Sequence, residues 1–158
     1  MIARLDLDRR LVPPSDVPEP YKSLLVHDHD MTSTLAAFHQ HEILLKVLER
    51  EADATHCSRV VILRAGEKPV EYGWILMYLD AFPDKAQALI LQGVKPLGWI
   101  LEHCQVQYQC DPLVFFEVSA DEALKTHLGT DRDVLYGREN RITSYEGDRL
   151  AEVLEILP

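Results

Sequence analysis

Four histidines and two aspartates crowd into fifteen positions: His27, Asp28, His29, Asp30, His39 and His41. On a strand, His27 and His29 share a face, as a metal site requires. None of the spacings matches a ligand signature such as HExxH, and no cysteine or third histidine is placed to finish a site. The spacing is read as solvated histidines beside a helix start. No metal and no other cofactor is expected.

Charged side chains inside apolar runs form a second constellation. Arg59 stands beside Val60 and Val61, Glu71 between Val70 and Tyr72, and Glu155 between Leu154 and Ile156. Period-two alternation can turn all three to water on an open sheet face. It can equally turn them into a closed pocket, where the Arg59 fork clamps a carboxylate while a glutamate hydrogen-bonds or relays a proton. Spacing leaves both readings open. The chain has no nucleophile elbow, glycine-rich phosphate loop or dinucleotide fingerprint, and Gly129-Thr130-Asp131 reads as a helix stop.

Two hairpins must position these side chains. Residues 59–63 are apolar and β-branched, Gly66-Glu67-Lys68-Pro69 supplies a turn, and 70–79 returns. The second hairpin runs over 134–143 and 150–157 around Glu146-Gly147-Asp148. Each hairpin carries an early arginine, Arg59 or Arg138, a loose likeness that suggests internal duplication.

Helices are expected at 31–39 with Asp30 as N-cap, and at 83–92 with Pro83 in the first turn and Gly93 as stop. A short helical run is read over 99–103. A third full helix, at 120–128, opens on a capping box of Ser119 and Glu122. Residues 43–49 fit helix or strand and are taken as strand; 106–109 and 113–118 read as two short strands. Pro13, Pro14, Pro18 and Pro20 make residues 1–22 an extended arm, leaving 23–158 as one domain. The fold class expected is α+β, an antiparallel sheet with helices gathered around one face.

The whole chain has 158 residues, 16 basic and 26 acidic, for a net charge of −10. That balance argues against nucleic acid as a partner, because phosphate neutralisation needs a basic face. At 47% hydrophobic residues a sizeable core is affordable, yet no run approaches the length of a membrane span. Met1 is followed by charge rather than an apolar export signal, and Cys57, Cys104 and Cys110 form no CxxC pair. A cytoplasmic protein with reduced thiols is expected. Its oligomeric state is open.

Across residues 24–158 the sequence resembles the chorismate pyruvate-lyase family. The resemblance rests on Asp30-Met31-Thr32, Arg59 with its apolar strand, Glu67-Lys68-Pro69, Pro96-Leu97-Gly98, Tyr136-Gly137-Arg138 and Glu155-Ile156-Leu157-Pro158, which fall in the family's order. It implies a single antiparallel sheet with helices enclosing a buried ligand pocket. The implied activity is cofactor-free elimination of pyruvate from chorismate, giving 4-hydroxybenzoate for ubiquinone biosynthesis. Arg59 would bind a substrate carboxylate, Leu97 would offer its backbone N–H, Met31 would pack on the ring, and Glu155 would be the essential carboxylate. Gly98, Glu71 and Arg138 complete the implied substrate-binding set.

The sequence departs from the family in three places. Trp74 follows Gly73 where the family has a second arginine. Placing Glu155 needs a one-residue gap, without which Glu152 takes its role. The segment 102–133 is longer than expected. The same fold resembles the effector-binding domain of GntR-type regulators, so the alternative is a non-catalytic binding domain for a small aromatic or cyclic carboxylate.

Overall fold

The computed structural model describes residues 6–158. In chain order the elements are β1 (Arg9–Val12), α1 (Tyr21–Leu25), α2 (Met31–His39), β2 (Ile43–Ala52), β3 (His56–Ala65) and β4 (Lys68–Tyr78). There follow α3 (Asp84–Gln92), α4 (Leu97–His103), β5 (Tyr108–Ser119), α5 (Glu122–Leu128), β6 (Val134–Ser144) and β7 (Arg149–Leu157).

The seven strands form one sheet in the order β1-β5-β6-β7-β4-β3-β2, every pair antiparallel. Both expected hairpins are present, and they join through the β4–β7 ladder. Gly66, at φ +62°, takes the left-handed turn position between β3 and β4 that a β-carbon would strain.

Alternation sorts the side chains. Arg59 lies across from Ile75, Val61 from Gly73, and Gly73 from Glu155, all on one face. That face is covered by α1 and α2 at one end and by α3 and α4 at the other, through Leu25, Met31, Leu35, Ile90, Leu97 and Ile100. The opposite face presents Val60, Trp74, Leu154 and Ile156, which pack against Leu124 and Leu128 of α5.

Helices therefore cover both faces, correcting the expected one-sided layer. The central strands are apolar on both sides, and α5 keeps the second side from water. The expected strands at 106–109 and 113–118 merge into one strand, β5, which begins only at Tyr108. A register shift between Pro112 and Val114 absorbs the proline, which has no N–H to give the ladder. Asp121, not Ser119, caps α5 by accepting from Leu124 N at 2.8 Å, since Ser119 is still paired in β5. Helix α4 begins at Leu97, two residues before the expected start, with Pro96 as its N-cap. Asp30 caps α2 as expected, accepting from Ser33 N at 2.8 Å.

Within the proline-rich segment, Arg9–Val12 pairs with β5 as an edge strand and a 3-10 turn occupies Pro14–Asp16. Residues 1–5 of the expected arm lie outside the described residues.

Candidate functional site

A cavity of ≈ 50 Å³ lies between the covered face of the sheet and the N-terminal ends of α2 and α4. Val61, Gly73, Ile75 and Val153 contribute to its sheet side, and Met31, Leu97 and Gly98 to its helix side. Its polar lining is Asp30, Thr32, Arg59, Glu71, Asn140 and Glu155.

Arg59 is the anomaly. It is 1% exposed, and neither Nε nor Nη1 has a hydrogen-bond partner. Burial pulls its pKa down to about 10, with Arg50, opposite it on β2, adding like charge. A guanidinium in such a place bears a desolvation cost that an anion would offset.

Glu71 is equally buried, at 3% exposure, and its Oε2 has no partner. Burial pushes its pKa well above the carboxylate range, and the charge of Glu155 pushes it further while Arg138 offsets part of the rise. Glu155 is 4% exposed and accepts from Arg138 Nε at 2.5 Å. The two glutamates thus differ by partner: Glu155 has a cation beside it, whereas Glu71 favours its neutral form.

Asn140 completes the set. It is buried, and its amide oxygen has no hydrogen-bond partner. Each unsatisfied buried polar group costs roughly 1–3 kcal/mol, so several around one cavity point to a polar ligand.

Glycines bring the walls close. A β-carbon on Gly98 would sit 2.7 Å from Asp30 Oδ2 and 2.8 Å from the Thr32 side chain, so α4 and α2 meet there only because Gly98 has none. A β-carbon on Gly73 would lie 3.0 Å from Glu71 Oε1 and 3.3 Å from the Leu154 carbonyl oxygen.

Of the residues singled out in the sequence, Arg59, Glu71, Glu155, Met31, Leu97 and Gly98 converge on this cavity. Arg138 does not line it. It stands behind Glu155, and its Nη1 and Nη2 donate to the carbonyls of Leu25, His27 and His29. Glu152, three positions from Glu155, falls on the other face, near Tyr78 and Arg149. Trp74 also turns to that face, so the side that meets the cavity at this point of β4 is Gly73.

The histidines serve local structure. His27 Nε2 meets the Leu24 carbonyl oxygen at 2.7 Å, His27 and His29 stack at 5.7 Å, and His41 Nδ1 meets the Glu42 carbonyl oxygen at 2.9 Å. Among the described residues, no group of three or more His, Cys, Asp or Glu is placed to hold a metal ion. Sequence reasoning missed Asn140 and the cavity-facing role of Asp30. Asn140 was within reach, since it lies two positions beyond Arg138 on the same strand face.

No protein-family model and no curated protein sequence matches the chain. Solved structures do. PhnF from Mycobacterium smegmatis aligns with a TM-score of 0.62 at 10% identity, over 82% of this chain and 63% of that one. The effector domain of PhnF alone gives 0.60 at 10%, over 81% and 87%. The fold is shared with an effector domain.

YydK from Bacillus subtilis aligns at 0.58 and 8% identity, over 77% of this chain and 59% of that one. A GntR-family transcriptional regulator from Bacillus cereus gives 0.51 and 11%, over 73% and 90%. The chain thus spans about three fifths of the length of YydK and of the longer PhnF structure.

These neighbours correct the expected chorismate pyruvate-lyase activity, and with it the enzyme assignment, the 4-hydroxybenzoate product and the link to ubiquinone biosynthesis. Among the solved structures that share the fold are a GntR-family transcriptional regulator and an effector domain. Among the described residues, no helix is long and apolar enough to cross a membrane.

Proposed function

We propose that the chain is a non-catalytic binding domain that holds a small aromatic or cyclic carboxylate in the cavity beneath α2 and α4. One observation carries this reading: Arg59 is buried against the cavity with Nε and Nη1 free. A carboxylate there accepts parallel bonds from the guanidinium and neutralises a charge that no protein group compensates. Met31, Val61 and Leu97 offer apolar surface to a ring. Glu71, Glu155 and Asn140 supply hydrogen bonds to its substituents. The effector domain of PhnF, which shares the fold, supports a ligand-binding role.

The test is calorimetric titration of the wild type and the Arg59→Ala variant with benzoate, 4-hydroxybenzoate and cyclohexanecarboxylate. At least one ligand is expected to bind the wild type and to lose roughly 30-fold or more in affinity with the variant. Equal affinities, or no binding of any of the three, would overturn the reading. Incubation with chorismate is expected to release no pyruvate.

A further inference from the structure

A buried ion pair connects the cavity to the chain segment that leads into its wall. Glu155 lines the cavity and receives Arg138 Nε. The same guanidinium donates from Nη1 to the carbonyls of Leu25 at 3.2 Å and His27 at 2.9 Å, and from Nη2 to that of His29 at 3.0 Å. Residues 26–29 belong to no helix or strand. Their main chain is fixed locally by Val26 N to the Lys22 carbonyl, His27 N to the Leu25 carbonyl, and His29 N to its neighbour's ring at His27 Nδ1. Among the described residues, the hydrogen bonds that the sheet gives to carbonyls of this segment come from one side chain, that of Arg138. Immediately beyond lie Asp30, Met31 and Thr32, which line the cavity.

We propose that Arg138 is a positioning residue that couples the state of Glu155 to the order of the 25–29 segment. The Glu155 carboxylate fixes the orientation of the planar fork, and the fork fixes three carbonyls on a segment to which Glu155 makes no hydrogen bond of its own. A ligand that engages Glu155 competes with Arg138 Nε and loosens the segment through it. The inference rests on the binding-domain reading only in taking Glu155 as a group the ligand meets. Arginine is needed for this, since a lysine ammonium on its single stem cannot bond a carboxylate and three separated carbonyls in fixed directions.

The experiment is amide hydrogen exchange on the full chain, followed in peptides covering residues 25–31, with β4 and β7 peptides as the control for global folding. The variants are Glu155→Gln, Arg138→Lys, their double combination and Glu71→Gln. Glu155→Gln removes charge at constant shape, and it is expected to speed exchange in the segment roughly tenfold with the strands unchanged. Arg138→Lys should do the same, and the double variant no more than either single, as coupled groups require. Glu71→Gln, on the same cavity wall, should leave the segment at the wild-type rate.

Wild-type protection in Glu155→Gln, or additive effects in the double variant, would overturn the coupling. Loss of protection in Glu71→Gln would overturn it too, by showing a general softening. Because no ligand enters this experiment, its failure leaves the carboxylate-binding reading standing, and failure of the titrations leaves the coupling standing.

Discussion

Arg59 and Arg138 hold matching stations in the two hairpins and end in opposite electrostatic states. Arg59 on β3 lies across from Ile75 on β4, whereas Arg138 on β6 lies across from Glu155 on β7. One cross-strand neighbour is apolar and the other is a carboxylate. Arg138 is therefore paired inside the protein, and Arg59 is the one proposed to meet a ligand.

Removing the Arg59 charge should make the empty protein more stable. Arg59→Met keeps the length of the stem and ends the cost of an uncompensated buried cation, on the order of 2 kcal/mol. A higher melting temperature at neutral pH together with lost benzoate binding is expected. Arg59→Lys should weaken binding nearly as much as Arg59→Ala, by about 2–4 kcal/mol, because the planar fork is lost in both. Calorimetry on the three variants checks this.

Supplying the missing partner from within should have the same effect on binding by another route. Ile75→Glu places a carboxylate across from Arg59, as Glu155 lies across from Arg138. The variant is expected to bind benzoate at least roughly tenfold more weakly while retaining its fold, read by titration and circular dichroism. Unchanged affinity would show that Arg59 is not the anchor.

Glu71 makes stability fall as pH rises. Its folded pKa is raised, so the folded chain keeps a proton that the unfolded chain has already released. Stability is therefore lost from the ordinary carboxylate range near 4.5 upward, through the folded value. Glu71→Gln should stabilise the protein at pH 7, and the gain should vanish at about pH 4, where both forms of the wild type are protonated. Urea denaturation at the two pH values measures the difference.

His27 works in the opposite direction. Burial lowers its pKa from 6.5, and the neighbouring Arg138 lowers it further against a bond to the Leu24 carbonyl. The unfolded chain then takes up a proton at a higher pH than the folded one. Stability from this group is complete above 6.5 and is lost as pH falls through that value toward the folded one. His27→Gln should flatten the fall in melting temperature between about pH 7 and pH 5.

A methyl group at Gly73 should test whether the sheet side of the cavity is where a ligand lies. Its nearest neighbours would be Glu71 Oε1, which can swing away, and the Leu154 carbonyl, which cannot. Gly73→Ala is expected to fold and to lose roughly tenfold or more in benzoate affinity. Unchanged binding would place the ligand elsewhere.

Much of this arrangement was legible before any coordinates. Period-two alternation put Arg59, Glu71 and Glu155 on apolar strands, and the turn residues at Gly66 and Gly147 fixed both hairpins. What alternation could not reveal was partnership across strands. Whether an arginine meets Ile75 or Glu155 depends on registers set by residues far apart in the chain. The same limit hid the face of Trp74, whose side chain packs with Val60 and Leu154. Function was the least legible part, because a fold of this kind can serve either catalysis or simple binding.

The size of the cavity also sets a timetable. At ≈ 50 Å³ it is smaller than a ring, so a benzoate-sized molecule is expected to enter as α2 and α4 part. Association then cannot rise without limit as ligand is added. In temperature-jump relaxation the observed rate should climb with ligand and level off at a rate set by opening, in the microsecond-to-millisecond range typical of helix displacements. Ligands of different size should share that plateau, since the slow step belongs to the protein, and they should differ mainly in how long they stay.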